Sequence, residues 1–348
     1  MLIGLIIFFG LSFLILIHEA GHFFAAKMFS LKVDEFGFGF PPRIFAWKKG
    51  ETEYSLNWLP VGGFVRIAGE NDRLEGVEHL AQLSEAEKKR FFFSQPAWKR
   101  SLIILAGVAM NFLIGWILVS AILMIGTPRQ LVITDIQAGS PAEAVGLKPG
   151  DVISGFKISG DFIAFVDAHR GESVSFEIKR GNEKLSIQAT PRRETKEGEG
   201  ALGVLLGDAG ADREPFFAAI GDGLREAAFI FWYTVLSFAD LIKNLVSHAT
   251  VPAEVSGPVG IFVVAQQTGK LGLIYLVQLL AVISLNLCVL NLMPFPALDG
   301  GRFFMILIEK IKGSPISQRT EIFVNTIGFA LLMLLIAGIT VRDIIRLF

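Results

Sequence analysis

Residues 14–24 read L-I-L-I-H-E-A-G-H-F-F, a His-Glu-Ala-Gly-His motif inside an almost unbroken apolar run. On a helix His18 and His22 stand four positions apart, so they share one face about one turn apart and can share a metal ion. Glu19, beside the first histidine, is then placed to act as general base on a water that the metal activates. The surrounding run stays apolar from residue 2 to residue 29, long enough to cross a bilayer. The chemistry is therefore expected at membrane depth. The alternative is a pair of packing histidines, with Glu19 held by a helix neighbour. It leaves three ionisable groups in lipid without a task, and such groups are rare there. A zinc site is the better reading.

Of the 348 residues, 52% are hydrophobic and only 19% charged, against about a quarter charged in soluble domains. The composition is that of a membrane protein. A formal net charge of −1 offers no basic surface for nucleic acid. The single cysteine, Cys288, excludes a disulfide framework and a cysteine-based metal cluster; in its apolar run it reads as a packing residue. The N-terminal run lacks a basic leader and a small-x-small cleavage site, is too long for a signal peptide, and carries the motif. It reads as a retained spanning helix.

Three further segments have spanning length, 98–126, 271–308 and 322–345. The third span of the chain, 271–308, is interrupted by N-L-M-P-F-P-A-L-D-G-G, residues 291–301. Another apolar stretch, 216–246, is broken by Asp222, Arg225, Glu226, Asp240 and Lys243, and reads as an interfacial amphipathic helix rather than a span. Twelve Lys and Arg residues lie between positions 27 and 100, and Lys310, Lys312 and Arg319 lie between the last two spans. Basic loops stay cytoplasmic, which puts both termini and residues 127–270 outside. Arg342 and Arg346 oppose this assignment but are outnumbered.

The outer segment contains the strand-like runs L-V-I-T-D-I, S-V-S-F-E-I and L-S-I-Q-A-T. Between the first two sits S-P-A-E-A-V-G-L-K-P-G-D-V-I, residues 140–153, which resembles a bacterial PDZ domain with its second helix within 161–169. A small β-rich cap over the site is the other reading. Residues 194–214, charged and Gly-rich, read as a linker. In the inner loop, V-D-E-F-G-F-G-F-P-P (33–42) and Y-S-L-N-W-L-P-V-G-G-F-V-R-I (54–67) alternate aromatic and β-branched residues, the pattern of short hairpins. Their apolar character has them dip into the membrane beside the site.

The expected fold is a polytopic α-helical membrane protein of about four transmembrane helices, with membrane-dipping β-hairpins on the cytoplasmic side and an inserted extracytoplasmic α+β PDZ-like domain. Its divisions are a first membrane part (1–126), the PDZ-like domain (127–195), a linker with the interfacial helix (196–270) and a second membrane part (271–348).

A catalytic zinc takes three protein ligands and one open position. Asp299 is the best third candidate, as the acidic residue in the apolar core of the third span. Pro294 and Pro296 prevent a regular helix, so the chain must unwind near 291–296. Gly300 and Gly301 then allow close backbone approach, and a carboxylate at the start of the resumed helix suits the helix dipole. A proline kink with Asp299 as a simple cap does not explain the cap's depth.

The motif H-E-A-G-H, the segment G-x-G-F-P followed by L-P-V-G-G-F-V-R-I-A-G-E, the PDZ-like insert and N-x-x-P-x-P-x-L-D-G-G together resemble the site-2 protease family. The resemblance is nearest to its bacterial branch, the regulators of sigma-E-type signalling, and covers nearly the whole chain. It implies zinc on His18, His22 and Asp299, Glu19 as base, and Asn291 against the substrate backbone near the scissile bond. It also implies a place in the bacterial inner membrane, single-span membrane proteins as substrates, such as anti-sigma factors or signal-peptide remnants, and admits an upstream site-1-type protease as a partner. S-G-P-V-G-I, residues 256–261, resembles a further family segment. There are two departures: Val108 stands where the family's G-P-x-x-N pattern has proline, though Asn111 remains for interhelical hydrogen bonding, and one PDZ-like domain stands in place of a tandem pair.

The expected activity is hydrolysis of a transmembrane helix after it unwinds. Residues near 54–67 would accept the unwound strand by β-augmentation, with Gly62 and Gly63 letting it come close. The PDZ-like domain would act as a size filter or read a cut substrate's new C-terminus. A membrane metal transporter would not need Glu19 beside the ligands, and a non-catalytic membrane PDZ scaffold would leave both buried motifs without a reason.

Overall fold

The residues that helix α1 (Leu2–Met28) buries include Leu14, His18, Gly21, His22 and Ala25, a three-to-four spacing that marks one helix face. That stripe turns both histidines inward while Phe9, Phe13 and Phe24 stay exposed. The structure, a computed structural model, describes residues 2–70, 84–156, 158–181, 183–195, 200–248 and 257–345. Arg73, Ser256 and Arg346 lie outside the described residues. The chain divides into two units. The first comprises Met1–Val119, Asp222–Gly269 and Tyr275–Phe348, and the second Ser120–Gly221 with Lys270–Ile274.

In the first unit, α1 is followed by β1 (Val33–Lys49) and β2 (Thr52–Ile67), paired antiparallel. Both strands bend, so their pairing makes four arms. Residues 33–38 pair with 63–67 on one side and 35–38 with 53–56 on the other, Phe40 pairs with Leu59, and 43–49 pair with 52–57. Pro41 and Pro42 sit at the bend of β1, and buried Asn57 pins it by donating Nδ2 to the carbonyls of Phe38 (3.3 Å) and Gly39 (3.2 Å). Ser12 of α1 donates to the Pro60 carbonyl at 2.6 Å, at the bend of β2. Among the described residues, no strand pairs with the outer side of 63–67, which is an edge.

After the short helix α2 (Glu85–Lys88), α3 (Ala97–Ile125) begins the second long helix. The apolar residues Ala25, Ala26, Leu31, Val33, Ile67, Ile103 and Ile104 pack α1, the sheet and α3 around one core.

The second unit contains β3 (Gln130–Ile136), α4 (Pro141–Ala144), β4 (Val152–Ile153), α5 (Ser159–Ala168), β5 (Val174–Arg180), β6 (Glu183–Ala189) and β7 (Val204–Ala209). The sheet order is β6-β5-β4-β3-β7, antiparallel throughout. Its core is built on Leu131, Ile133, Ile153, Phe162 and Ile178. Strand β7 corrects the expected boundary at 195. Residues 204–209 lie in the stretch read as a linker, yet they pair with β3 from Gln130↔Ala209 to Ile136↔Val204. The glycines and charges around this short apolar run hid it, because its partner is some seventy positions earlier in the chain.

The helices that follow are α6 (Phe216–His248), α7 (Pro258–Leu271), α8 (Leu273–Leu292), α9 (Asp299–Lys312) and α10 (Gln318–Ile345). Most of the stretch 196–270, read as a linker plus one interfacial helix, is therefore helical. Among the described residues, four helices are long and apolar enough to cross a membrane: Leu2–Met28, Ala97–Ile125, Leu273–Leu292 and Arg319–Ile345. Asp343 of α10 accepts the N–H groups of Gly257 (2.8 Å) and Gly260 (2.9 Å) at the start of α7, serving donors that a helix start otherwise leaves open. The third span also needs correction. It ends at Leu292, and Asp299 opens the separate helix α9 instead of lying within a resumed apolar span. Arg302, Glu309, Lys310 and Lys312 make α9 amphipathic, unsuited to continue α8 through lipid.

Candidate metal centre

The route by which Asp299 reaches the histidines is set by the break after α8. Residues 293–298 leave helical geometry, and Ala297 takes the left-handed conformation with φ 73°, its N–H donated to Asn325 Oδ1 at 3.1 Å. A β-carbon on Gly300 would fall 2.2 Å from the Met293 carbonyl oxygen, and one on Gly301 would fall 2.2 Å from that of Phe295. Any larger residue would push the start of α9 off the break, so the two glycines let Asp299 be delivered by folded-back backbone.

Asp299 Oδ2 lies 2.9 Å from His18 Nε2 and 3.3 Å from His22 Nε2, and the two Nε2 atoms are 3.2 Å apart. One ligand atom from each of the three residues falls within 4.8 Å of the others. His22 Nδ1 faces the Ile103 carbonyl at 2.9 Å. Only a protonated Nδ1 can donate there, so a neutral His22 aims its Nε2 lone pair at Asp299. Imidazole nitrogens and a carboxylate oxygen arranged like this repel one another unless a cation lies among them. Asp299 Oδ2 is buried, with the two imidazole nitrogens as its polar neighbours among the described residues. Two imidazoles and one carboxylate are a known donor type for a catalytic zinc that keeps one position open. The residues fit the ion.

Glu19 is close enough to His18, His22, Asp299 and Glu70 to interact with their charges. The edge arm passes beside it, for a β-carbon on Gly63 would lie 3.7 Å from Glu19 Cγ and 3.3 Å from Leu16 Cδ1. Gly62, with φ +100°, packs against Ile15. The structure thus brings His18, Glu19, His22, Gly62, Gly63 and Asp299 to one place. Asn291 stands in the last turn of α8, half-buried and ahead of the break.

Other residues contribute to the centre that the sequence reading did not assign to it. Gly107 of α3 lies against both rings, since a β-carbon there would fall 2.4 Å from His22 Nε2. Arg302, three residues after Asp299, pairs with Glu70 just beyond β2 at 2.5 Å. A backbone carbonyl such as that of Ile103, or a pair joining distant segments, leaves no local pattern. For Glu70 and Arg302 the one hint is their position at the ends of the two conspicuous glycine motifs.

Residues 6–335 match peptidase family M50. The regulator of sigma-W protease RasP of Bacillus subtilis is 31% identical over 422 aligned positions, covering 99% of this chain and 98% of that protein. The zinc metalloproteases RasP of Bacillus licheniformis and Geobacillus kaustophilus are 32% and 30% identical over 423 aligned positions, covering at least 98% of each chain. With apolar helices around a His, His and Asp donor set, and with zinc metalloproteases similar to it from end to end, the chain belongs to peptidase family M50, the site-2 proteases, and is an integral-membrane zinc metalloprotease.

Proposed function

We propose that this protease hydrolyses transmembrane helices of single-span membrane proteins within the bilayer, with His18, His22 and Asp299 holding zinc and Glu19 moving the proton. The observation that carries the reading is a buried three-residue donor set, two of whose members stand on a helix apolar enough to span a membrane. When bound, zinc supplies a Lewis acid that activates water and polarises the scissile carbonyl. Glu19 takes the water's proton on a carboxylate oxygen and passes it to the amide nitrogen as the C–N bond breaks and the new C–O bond forms. The Arg302–Glu70 pair holds the α9 terminus that carries Asp299 in register with the end of β2.

A helical peptide bond is shielded by its own hydrogen bonds, so the substrate unwinds first. Its strand then adds to the edge arm 63–67, where Gly62 and Gly63 allow close approach and main-chain bonds give affinity independent of sequence. Asn291 is assigned to the substrate backbone on family resemblance alone. The exposed rings of Phe40, Phe45, Trp47 and Trp58 suit a sheet dipping into the bilayer from the cytoplasmic side, with four spans and both termini outside.

In the second unit, a cleft of about 410 Å³ lies between α5 and β7, lined by Phe162, Ile163, Val166, Leu202, Val204 and Leu206. Edge strand β7 opposite a helix favours the PDZ-like reading, in which this unit reads a cut substrate's C-terminus or filters substrates by size. By analogy with the relative named for sigma-W regulation, an anti-sigma factor is one substrate class; signal-peptide remnants are another.

Membrane proteomes of cells carrying the unaltered chain or Glu19→Gln, matched for expression and zinc content, test the proposal. Single-span proteins or their N-terminal fragments should accumulate only with Glu19→Gln. Identical proteomes, together with no cleavage of a destabilised helix by the purified protein, would overturn it. Metal flux that survives Glu19→Gln would point to a transporter.

A further inference from the structure

Among the described residues, His18 has no carbonyl to match the one that Ile103 offers His22. Its Nδ1 faces the side chain of Asn111 on α3 instead, with Nδ2 3.2 Å away. Asn111 is 1% exposed, and its Oδ1 is buried with no hydrogen-bond partner among the described residues. Ile103, Gly107 and Asn111 recur every four positions, one face of α3, and all three meet the imidazole pair. A β-carbon on Gly107 would lie 2.8 Å from His18 Cε1 as well as 2.4 Å from His22 Nε2. Ser284 of α8 donates to the Asn111 carbonyl at 2.8 Å, fixing the turn from which the amide projects.

For His18 to offer its Nε2 lone pair toward Asp299, its proton must sit on Nδ1, making that atom a donor. The amide nitrogen now opposite it is a donor too, while an acceptor lies unused on the same side chain. A half-turn of the amide exchanges oxygen and nitrogen without altering its shape. We propose that Asn111 is a positioning residue: its Oδ1 accepts from His18 Nδ1–H and fixes the tautomer and ring plane of that ligand, as the Ile103 carbonyl does for His22. The inference rests on the reading of His18 as a zinc ligand.

The test uses the purified full-length chain and measures zinc affinity by chelator competition, with the absorption spectrum of the cobalt-substituted protein as a second readout. Asn111→Leu keeps the volume and removes the acceptor, and should weaken zinc binding about 10–100-fold, the usual effect of losing a partner behind a metal-bound histidine, with a shifted cobalt spectrum. Asn111→Asp supplies acceptor oxygens and should recover the affinity and spectrum. The proposal is overturned if Asn111→Leu binds zinc like the unaltered chain, or if Asn111→Asp binds as weakly as Asn111→Leu. His18→Ala separates the two levels, since undiminished zinc affinity in that variant would remove the ligand reading itself.

Discussion

In the proposed mechanism Glu19 and Gly107 face the metal centre with opposite requirements, one for a mobile proton and the other for no side chain at all. Glu19→Gln keeps size and hydrogen-bonding capacity but cannot take a proton. Cleavage of a labelled transmembrane peptide should fall about 10²–10⁴-fold, the range for a lost general base, while bound zinc, measured by atomic absorption, stays stoichiometric. Gly107→Ala makes the opposite prediction. Its β-carbon would sit 2.4 Å from His22 Nε2, so either ring or helix must move. Zinc affinity should drop at least about tenfold, by analogy with other disturbances behind a ligand. Undiminished affinity by chelator competition would mean that α3 gives way instead.

Sheet edges decide what the two β elements can bind. Leu56 is flanked by Phe38 and Phe45 in the pairing, so that arm has no free side, whereas 63–67 has one. A substrate helix N-methylated at the residues flanking the scissile bond keeps its side chains but loses the donors for strand addition. It should bind the edge more weakly and be cut more slowly than its unmethylated twin, and equal rates would remove strand addition from the mechanism. In the second unit, Asp151 is 1% exposed and held by Arg180 through Nε (2.7 Å) and Nη2 (2.7 Å), and by the Lys148 N–H at 2.9 Å. Asp151→Ala should destabilise the β3–β5 region by about 1.5 kcal/mol, the low end for charge-assisted bonds because Arg180 is partly solvated. Faster amide exchange confined to those strands of the full-length chain is the readout.

At the scale of the whole chain, the second unit can be excised at a natural seam. Thr127 N–H donates to the Ala211 carbonyl at 2.8 Å, and Ala211 N–H donates to Thr127 Oγ1 at 2.7 Å, so the ends of the insert already touch. Removing 128–210 should leave zinc affinity unchanged and, if the unit filters by size, allow substrates with longer outer segments to be cut. Unchanged selectivity in a cleavage assay would assign it another role. A deletion ending at 195 would strand β7 without its partner β3 and expose an unpaired edge, confusing loss of the filter with aggregation.

The sequence by itself determined the membrane class, the helix that carries His18, Glu19 and His22, the need for a break before Asp299 and the hairpin character of 33–67. Each follows from residue types at short spacing: a hydropathic run, an i, i+4 pair, prolines that cannot continue a helix, glycines that admit close backbone. Tertiary structure alone decided the rest. It made four arms of two bent strands, gave β7 to a sheet whose first strand lies far upstream, turned α9 into a helix of its own, and set Ile103, Gly107 and Asn111 behind the histidines. Those features depend on pairing between distant segments and on backbone carbonyls common to every residue, which leave no mark in local sequence; the pattern that holds Gly107 and Asn111 is visible, but what the two residues face is not.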